Sequence, residues 1–228
     1  MIPPSKTIAV VAPSGRFNPD RLNEGLRLIE SKGYTLAIPD SLQIPHRYLA
    51  ATDAQRLTQL ENALISPDYD AIWIARGGFG LTRLLDKLNL ERVIAKPIIG
   101  FSDVTALFCS LYQQQIGPLI HGPVIHSLSS TDKDSIHQLF DLFKGQARPS
   151  WEGESWIDGT ATGQMLGGNL TMLASACGTD HQLDARGAIL ILEDTGEAAY
   201  RIDRSLQQLK SSGVFNGVVG IGVGQFTH

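Results

Sequence analysis

The stretch Ala71-Ile-Trp-Ile-Ala75 is apolar throughout and is followed at once by the glycine-rich run Arg76-Gly-Gly-Phe-Gly80. Two similar apolar runs, Thr7-Ile-Ala-Val-Val-Ala12 and Pro97-Ile-Ile-Gly-Phe101, lie before and after it, and amphipathic stretches separate them. Strands that are apolar on both faces and alternate with helices are typical of a parallel sheet covered on both sides. The sequence therefore predicts an α/β fold whose N-terminal sheet is Rossmann- or flavodoxin-like.

The texture of the chain changes after Lys144, where the segment from Gly145 to Thr162 mixes Pro, Gly, Ser and Trp. Such a composition is typical of a linker or an irregular crossover. We therefore expect a first domain over residues 1–147 and a smaller, incomplete α/β domain over residues 148–228. Within the second, the apolar runs Gly187–Leu192 and Val218–Phe226 predict strands.

The composition narrows the classes of function. Among 228 residues the net charge is −4, and no basic cluster is present, which argues against a nucleic-acid partner. No apolar run approaches the roughly 20 residues of a membrane span, and the N-terminus lacks the pattern of a signal peptide. The two cysteines, Cys109 and Cys177, lie in apolar surroundings, as reduced buried thiols do. We expect a cytoplasmic protein with no membrane partner.

Ser102 lies where the strand Pro97–Phe101 gives way to a helical pattern. A nucleophile elbow places its serine at such a junction, near a helix N-terminus that favours an oxyanion. The sequence departs from the strict G-x-S-x-G pattern, because Val104 replaces the second glycine. From spacing alone a simple helix cap by Ser102 or Asp103 is the favoured alternative.

The loop around Gly77 and Gly78 has three interpretations. It can form a tight turn, or a phosphate cradle, although the G-x-G-x-x-G fingerprint is absent. It can also let backbone N–H groups approach a reacting carbonyl that side chains would obstruct. Spacing alone does not choose among them.

Glu193 and Asp194 end the apolar run of the second domain. Because side chains alternate along a strand, only one of the two carboxylates faces a given side of the sheet. A carboxylate at a strand end can orient a catalytic histidine. The equal alternative is a surface acid paired with Arg201 or Arg204.

The six histidines show neither H-E-x-x-H nor Cys/His metal spacing, so we expect no metal site. His121, at the end of a predicted strand, is the one histidine that the sequence places near the cleft.

Seven motifs taken together resemble the LD-carboxypeptidase (muramoyltetrapeptide carboxypeptidase) family, which includes the microcin C self-immunity peptidases. They run in order through nearly the whole chain: Val11-Ala-Pro-Ser14, Arg76-Gly-Gly-Phe-Gly80, Ile99-Gly-Phe-Ser-Asp-Val-Thr105, His121-Gly-Pro123, Gly167-Gly-Asn-Leu170, Gly178-Thr179 and Leu192-Glu-Asp-Thr-Gly-Glu-Ala-Ala-Tyr-Arg-Ile-Asp-Arg204. Each motif is weak alone, but the ordered set is specific.

The resemblance implies a serine peptidase with Ser102 as nucleophile and Glu193 as triad carboxylate. It implies an oxyanion hole formed by backbone N–H groups of Gly77, Gly78 and Asp103. The family histidine lies in a loop well downstream of the Leu-Glu-Asp strand, so we expect the catalytic histidine after His228, in a segment that these 228 residues do not include. We therefore expect the 228-residue chain by itself to be inactive.

The implied reaction removes the terminal D-alanine from murein tetrapeptides during cell-wall recycling. It needs no cofactor or metal, takes a murein-derived peptide as substrate, and is carried out by a cytoplasmic homodimer. Two alternatives stay open: hydrolysis of a microcin C-type peptidyl-nucleotide, with Trp151 or Trp156 stacking on the base, and a non-catalytic relative that only binds peptides.

Overall fold

The structure, a computed structural model, describes residues 2–146 and 150–227. The chain divides into two compact units, the first comprising Met1–Val104 and Gln114–Ser150 and the second Thr105–Gln113 and Trp151–His228. The boundary that the sequence predicts at residue 147 lies outside the described residues.

The first unit is built on a parallel sheet. Its strands are β1 (Thr7–Val11), β2 (Thr35–Ala37), β3 (Ala71–Ile74), β4 (Ile98–Gly100) and β5 (Leu119–His121). They pair in parallel in the order β2-β1-β3-β4-β5. This is the flavodoxin-like order, in which ligands gather at the carboxyl ends of the strands. The predicted fold class is confirmed.

Four helices follow strands or loops of this sheet: α1 (Pro19–Ser31), α2 (Asp53–Ile65), α3 (Val104–Gln113) and α4 (Lys133–Lys144). Helix α2 begins with a capping box, because the Thr52 side chain accepts from the Gln55 N–H while the Gln55 side chain returns to Thr52. Helix α3 directly follows β4, and all of it after Val104 is grouped with the second unit.

The sheet of the first unit is buried on both faces. On one face Val10, Trp73 and Ile99 form a cluster with apolar residues of α1 and α4. The alternate positions, including Val11 and Ile72, are also buried, which explains why these strands are continuously apolar.

The second unit contains a smaller parallel sheet of β6 (Gln164–Asn169), β7 (Ala188–Thr195) and β8 (Gly220–Thr227), in that order. Two further helices, α5 (Leu170–Ala176) and α6 (Ala199–Ser211), complete it. Its core includes Leu190 and Leu192 of β7, Leu173 of α5, Leu209 of α6 and Cys109 of α3. Both strands that the sequence predicts in this region are present.

Candidate active site

Ser102 occupies a sharp turn between β4 and α3. Its backbone φ is 63°, in the left-handed region that residues with a side chain rarely adopt. Strain of this kind persists only where the surroundings enforce it, and it is typical of a nucleophile elbow. A simple cap has an extended backbone instead, so the conformation favours the elbow over the cap.

The packing at the elbow explains why the second glycine of the usual motif is replaced. A Cβ at Gly100 would lie 2.7 Å from a methyl carbon of Val104. Positions 100 and 104 therefore share one space, which the glycine leaves open and the valine side chain fills. The turn requires a small residue at one of the two positions, and Gly100 supplies it.

The glycine loop lies against the Ser102 side chain. A Cβ at Gly77 would be 3.0 Å from Ser102 Cβ and 3.4 Å from its Oγ. Gly78 has a φ of 104°, which a side chain disfavours. The loop thus brings bare backbone next to the serine hydroxyl, as the third interpretation of the sequence requires.

Asp103, next to the proposed nucleophile, is fully buried. Its Oδ2 accepts hydrogen bonds from Ser14 Oγ at 2.6 Å and from the Leu81 N–H at 2.9 Å. Its Oδ1 has no hydrogen-bond partner among the residues that the structure describes. Burial raises the pKa of Asp103 above its usual value, against the lowering effect of these two donors.

His121 ends β5 in the same unit, and its ring centroid is 5.1 Å from that of Phe101, the residue before Ser102. This confirms that His121 belongs to the strand-end edge of the first sheet. The catalytic histidine that the sequence resemblance places after His228 lies outside the described residues.

In the second unit, the alternation predicted for Glu193 and Asp194 is present. Asp194 shares the buried face of β7 with Leu192, whereas Glu193 is half-buried on the other face. Asp194 accepts from Asn169 Nδ2, from the N–H and Oγ1 of Thr171, and from the Thr195 N–H.

A β-bulge in β8 lies opposite Glu193. The pairing of β7 with β8 shifts register between Leu192 and Asp194. A Cβ at Gly224 would lie 3.4 Å from the Glu193 Cβ, so the glycine leaves room beside this side chain. Bulges are common next to active sites, where they aim a side chain.

Arg201 pairs with Glu197 at 3.3 Å, and the Arg204 guanidinium lies over the Tyr200 ring at 5.3 Å. Within residues 2–146 and 150–227, no group of three or more His, Cys, Asp or Glu side chains is arranged to hold a metal ion. None of the described helices has the length and apolar character that crossing a membrane requires.

Two residues of the site are not predicted from the sequence. Ser14 belongs to one of the seven motifs, but its hydrogen bond to Asp103 spans 89 positions, so no spacing rule indicates it. Arg56 is fully buried on the apolar face of α2, beside Leu60 and Leu64. A charged residue in register with buried leucines was the available signal for Arg56, because a buried arginine requires fixed partners.

Both units of the chain match models of one known protein family. Residues 8–122 match the family model described as the LD-carboxypeptidase N-terminal domain, and residues 162–228 match that of the C-terminal domain. The murein tetrapeptide carboxypeptidase of Pseudomonas aeruginosa is 35% identical over 96% of this chain and 76% of its own length.

Solved structures agree. The crystal structure of muramoyltetrapeptide carboxypeptidase from Oxalobacter formigenes matches with a TM-score of 0.86 and 29% identity, covering 97% of this chain and 77% of that one. The microcin C7 self immunity protein MccF, in an inactive mutant without ligand, matches in fold with a TM-score of 0.85 at 21% identity, covering 99% of this chain and 80% of that one.

Proposed function

The chain belongs to the LD-carboxypeptidase family, and on that premise we propose that it is a serine carboxypeptidase that removes the terminal D-alanine from murein tetrapeptides in cell-wall recycling. The observation that carries the chemistry is Ser102, held at a φ of 63° with the backbone of Gly77 against its hydroxyl. A half-buried, strained serine beside bare backbone suits acyl transfer.

In the proposed reaction Ser102 Oγ attacks the carbonyl carbon of the L,D-peptide bond. The Oγ–C bond forms as the hydroxyl proton passes to a histidine, and the negative oxygen is stabilised by N–H groups of Gly77, Gly78 and Asp103. The C–N bond then breaks, D-alanine leaves with that proton, and water hydrolyses the acyl-enzyme. Glu193 is the carboxylate that orients the imidazole and stabilises its charged form.

Replacing the nucleophile tests this proposal, in a form of the protein that also carries the expected histidine. Ser102→Ala should lower kcat on an L,D-tetrapeptide by about 10⁴-fold or more, because the members of a triad act as a unit. Turnover should release D-alanine, should be lost on an all-L peptide, and should survive a chelator. Wild-type turnover by the Ser102→Ala protein, or a loss on chelation that zinc restores, would overturn the proposal.

His121 is the matched control for the base. We expect His121→Ala to keep kcat within about tenfold of wild type, because the base of a triad costs far more when it is removed. A loss as deep as that of Ser102→Ala would instead assign the proton transfer to His121.

One observation supports a second substrate class. The side chains of Trp151 and Trp156 are not packed in a core but are 65% and 75% exposed, as stacking on a nucleobase would require. The comparison to make is kcat/KM for a peptidyl-nucleotide against the tetrapeptide. A higher value for the nucleotide, lost in Trp156→Ala, would reverse our choice of substrate.

We also propose that the enzyme works in the cytoplasm, since its murein-peptide substrate arises there during recycling. We further propose that it is a homodimer with no nucleic-acid partner. Light scattering across a range of concentrations should give twice the 24.7 kDa chain mass. A constant monomer mass would remove the dimer from the proposal.

A further inference from the structure

Arg56 is a fully buried cation in the first unit. Its Nε donates to the Ala51 carbonyl at 3.2 Å, and its Nη1 donates to the carbonyls of Pro13 and, at 3.0 Å, Gly80. Its Nη2 pairs with Asp53 at 2.6 Å. One guanidinium therefore binds the loop after β1, the segment before α2 and the end of the glycine loop.

Gly80 is shaped to this contact. Its φ is 141°, and a Cβ there would lie 2.7 Å from Arg56 Nη1. The guanidinium thus occupies the space that a side chain at position 80 would need. The last residue of the glycine loop, Gly80, therefore contacts Arg56, and Gly77 near its start lies against the Ser102 side chain.

Asp103 binds the same two loops one residue further along. Arg56 holds the carbonyl of Pro13, and Asp103 holds the hydroxyl of the next residue, Ser14. Arg56 holds the carbonyl of Gly80, and Asp103 holds the N–H of the next residue, Leu81. Two buried side chains, one basic and one acidic, therefore fix both loops at consecutive positions, and the acidic one directly follows Ser102.

We propose that Arg56 is a positioning residue of the reaction: together with Asp103 it forms a clamp that sets the distance between the Gly77–Gly80 loop and the Ser102 hydroxyl. The clamp rests on the proposed function, because it acts through the groups that stabilise the oxyanion. Such groups contribute mainly in the transition state, so a displaced loop lowers kcat and leaves KM nearly unchanged.

The chain offers a matched control in Lys96, a second buried cation of the first unit. Its ammonium donates to the Ala63 carbonyl at 3.1 Å, and it lies just before β4, whereas the elbow follows β4. Lys96 is therefore similarly buried and also donates to backbone carbonyls, but at the opposite end of the strand from the proposed nucleophile.

The experiment compares Arg56→Lys, which keeps the charge but cannot bind all the carbonyls, with Lys96→Met. For Arg56→Lys we expect kcat to fall about 10–100-fold with KM changed by less than about threefold, as expected for a small misplacement of catalytic groups. For Lys96→Met we expect a lower melting temperature and kcat within about twofold of wild type, because no catalytic group moves.

Gly80→Ala tests the clamp from the loop side, in case Arg56→Lys does not fold. Its Cβ would displace the guanidinium, so we expect the same selective loss of kcat. Wild-type kcat in either folded Arg56→Lys or Gly80→Ala, or an equal loss in Lys96→Met, would overturn the clamp. Ser102→Ala run in parallel separates the two ideas, since an active Ser102→Ala protein contradicts the proposed function itself.

Discussion

Asp103 and Asp194 are both buried aspartates, and each directly follows a residue to which we assign chemistry, Ser102 or Glu193. Asp194 accepts four hydrogen bonds, shared between both of its oxygens. Asp103 accepts two, both at Oδ2, and its Oδ1 has no partner among the described residues.

The difference separates two uses of a buried carboxylate. Asp194 ties the junction of β6 and α5 to β7, and its satisfied oxygens repay the cost of burial. Asp103 holds two loops of the proposed active site with one oxygen unsatisfied. A buried polar group that lacks a hydrogen bond lowers the stability of the fold, and such unfavourable features are concentrated at functional sites.

The largest effect, on kcat, should come from replacing Glu193, the residue before Asp194. Glu193→Gln should lower kcat on the L,D-tetrapeptide by about 10³-fold or more, because an amide cannot stabilise the imidazolium that forms. The free energy of unfolding should change little. Steady-state kinetics beside urea denaturation checks both, and a kcat within tenfold of wild type would contradict the role of Glu193.

Next in size is the removal of Asp194 itself. Asp194→Ala should lower the free energy of unfolding by about 3 kcal/mol, because Asn169 and Thr171 lose their buried acceptor. Asp184→Ala is the control, since Asp184 pairs with Arg186 on the surface and such pairs contribute about 0–1 kcal/mol. Equal losses of stability in urea denaturation would show that Asp194 is not an anchor.

The third prediction compares the two aspartates by removing one hydroxyl donor from each, that of Thr171 from Asp194 and that of Ser14 from Asp103. Thr171→Val should cost about 1 kcal/mol, because Asp194 keeps three other donors. Ser14→Ala should cost about 2 kcal/mol, because Asp103 keeps only the Leu81 N–H. Chemical denaturation of both variants measures the two losses of unfolding free energy. A larger loss for Thr171→Val than for Ser14→Ala would contradict the view that Asp103 is the less well satisfied carboxylate.

The smallest effect concerns pH. Burial raises the pKa of Asp103 above 3.8, so the folded protein holds this proton more tightly than the unfolded chain. Its contribution to stability is greatest below 3.8 and declines as the pH rises towards the folded pKa, by at most about 1.4 kcal/mol per pH unit. Asp103→Asn should remove this slope.

Asp53 has the opposite sign and must be kept out of that measurement. The Arg83 side chain, with Arg56, lowers the pKa of Asp53 to about 2, so its contribution is lost only as the pH falls below 3.8. Unfolding at several pH values above about 4.5 therefore excludes Asp53. Burial lowers the pKa of His126, which gives a slope of opposite sign around and below 6.5, so the change in slope on Asp103→Asn is what reports Asp103. An unchanged slope in Asp103→Asn would contradict the raised pKa.

The fold was largely predictable because its signals are local. Continuous apolar runs identify buried parallel strands without reference to the rest of the chain, and Thr52 with Gln55 identifies the start of α2. The alternation of Glu193 and Asp194 followed from strand geometry alone. The motif order then indicated the family, which the matched family models confirm.

The sequence by itself determined the class of fold, the approximate positions of most strands and the residues that carry the family pattern. Only the tertiary structure decided that Ser102 has a left-handed backbone, that Gly100 and Val104 share one space, and which loops Arg56 holds. The physical reason is distance along the chain: the bonds of Asp103 span 22 and 89 positions, so no local periodicity or propensity encodes them. Each apolar side chain favours burial by its own chemistry, so burial can be predicted residue by residue. The partner of a buried polar group is known only once the chain has folded.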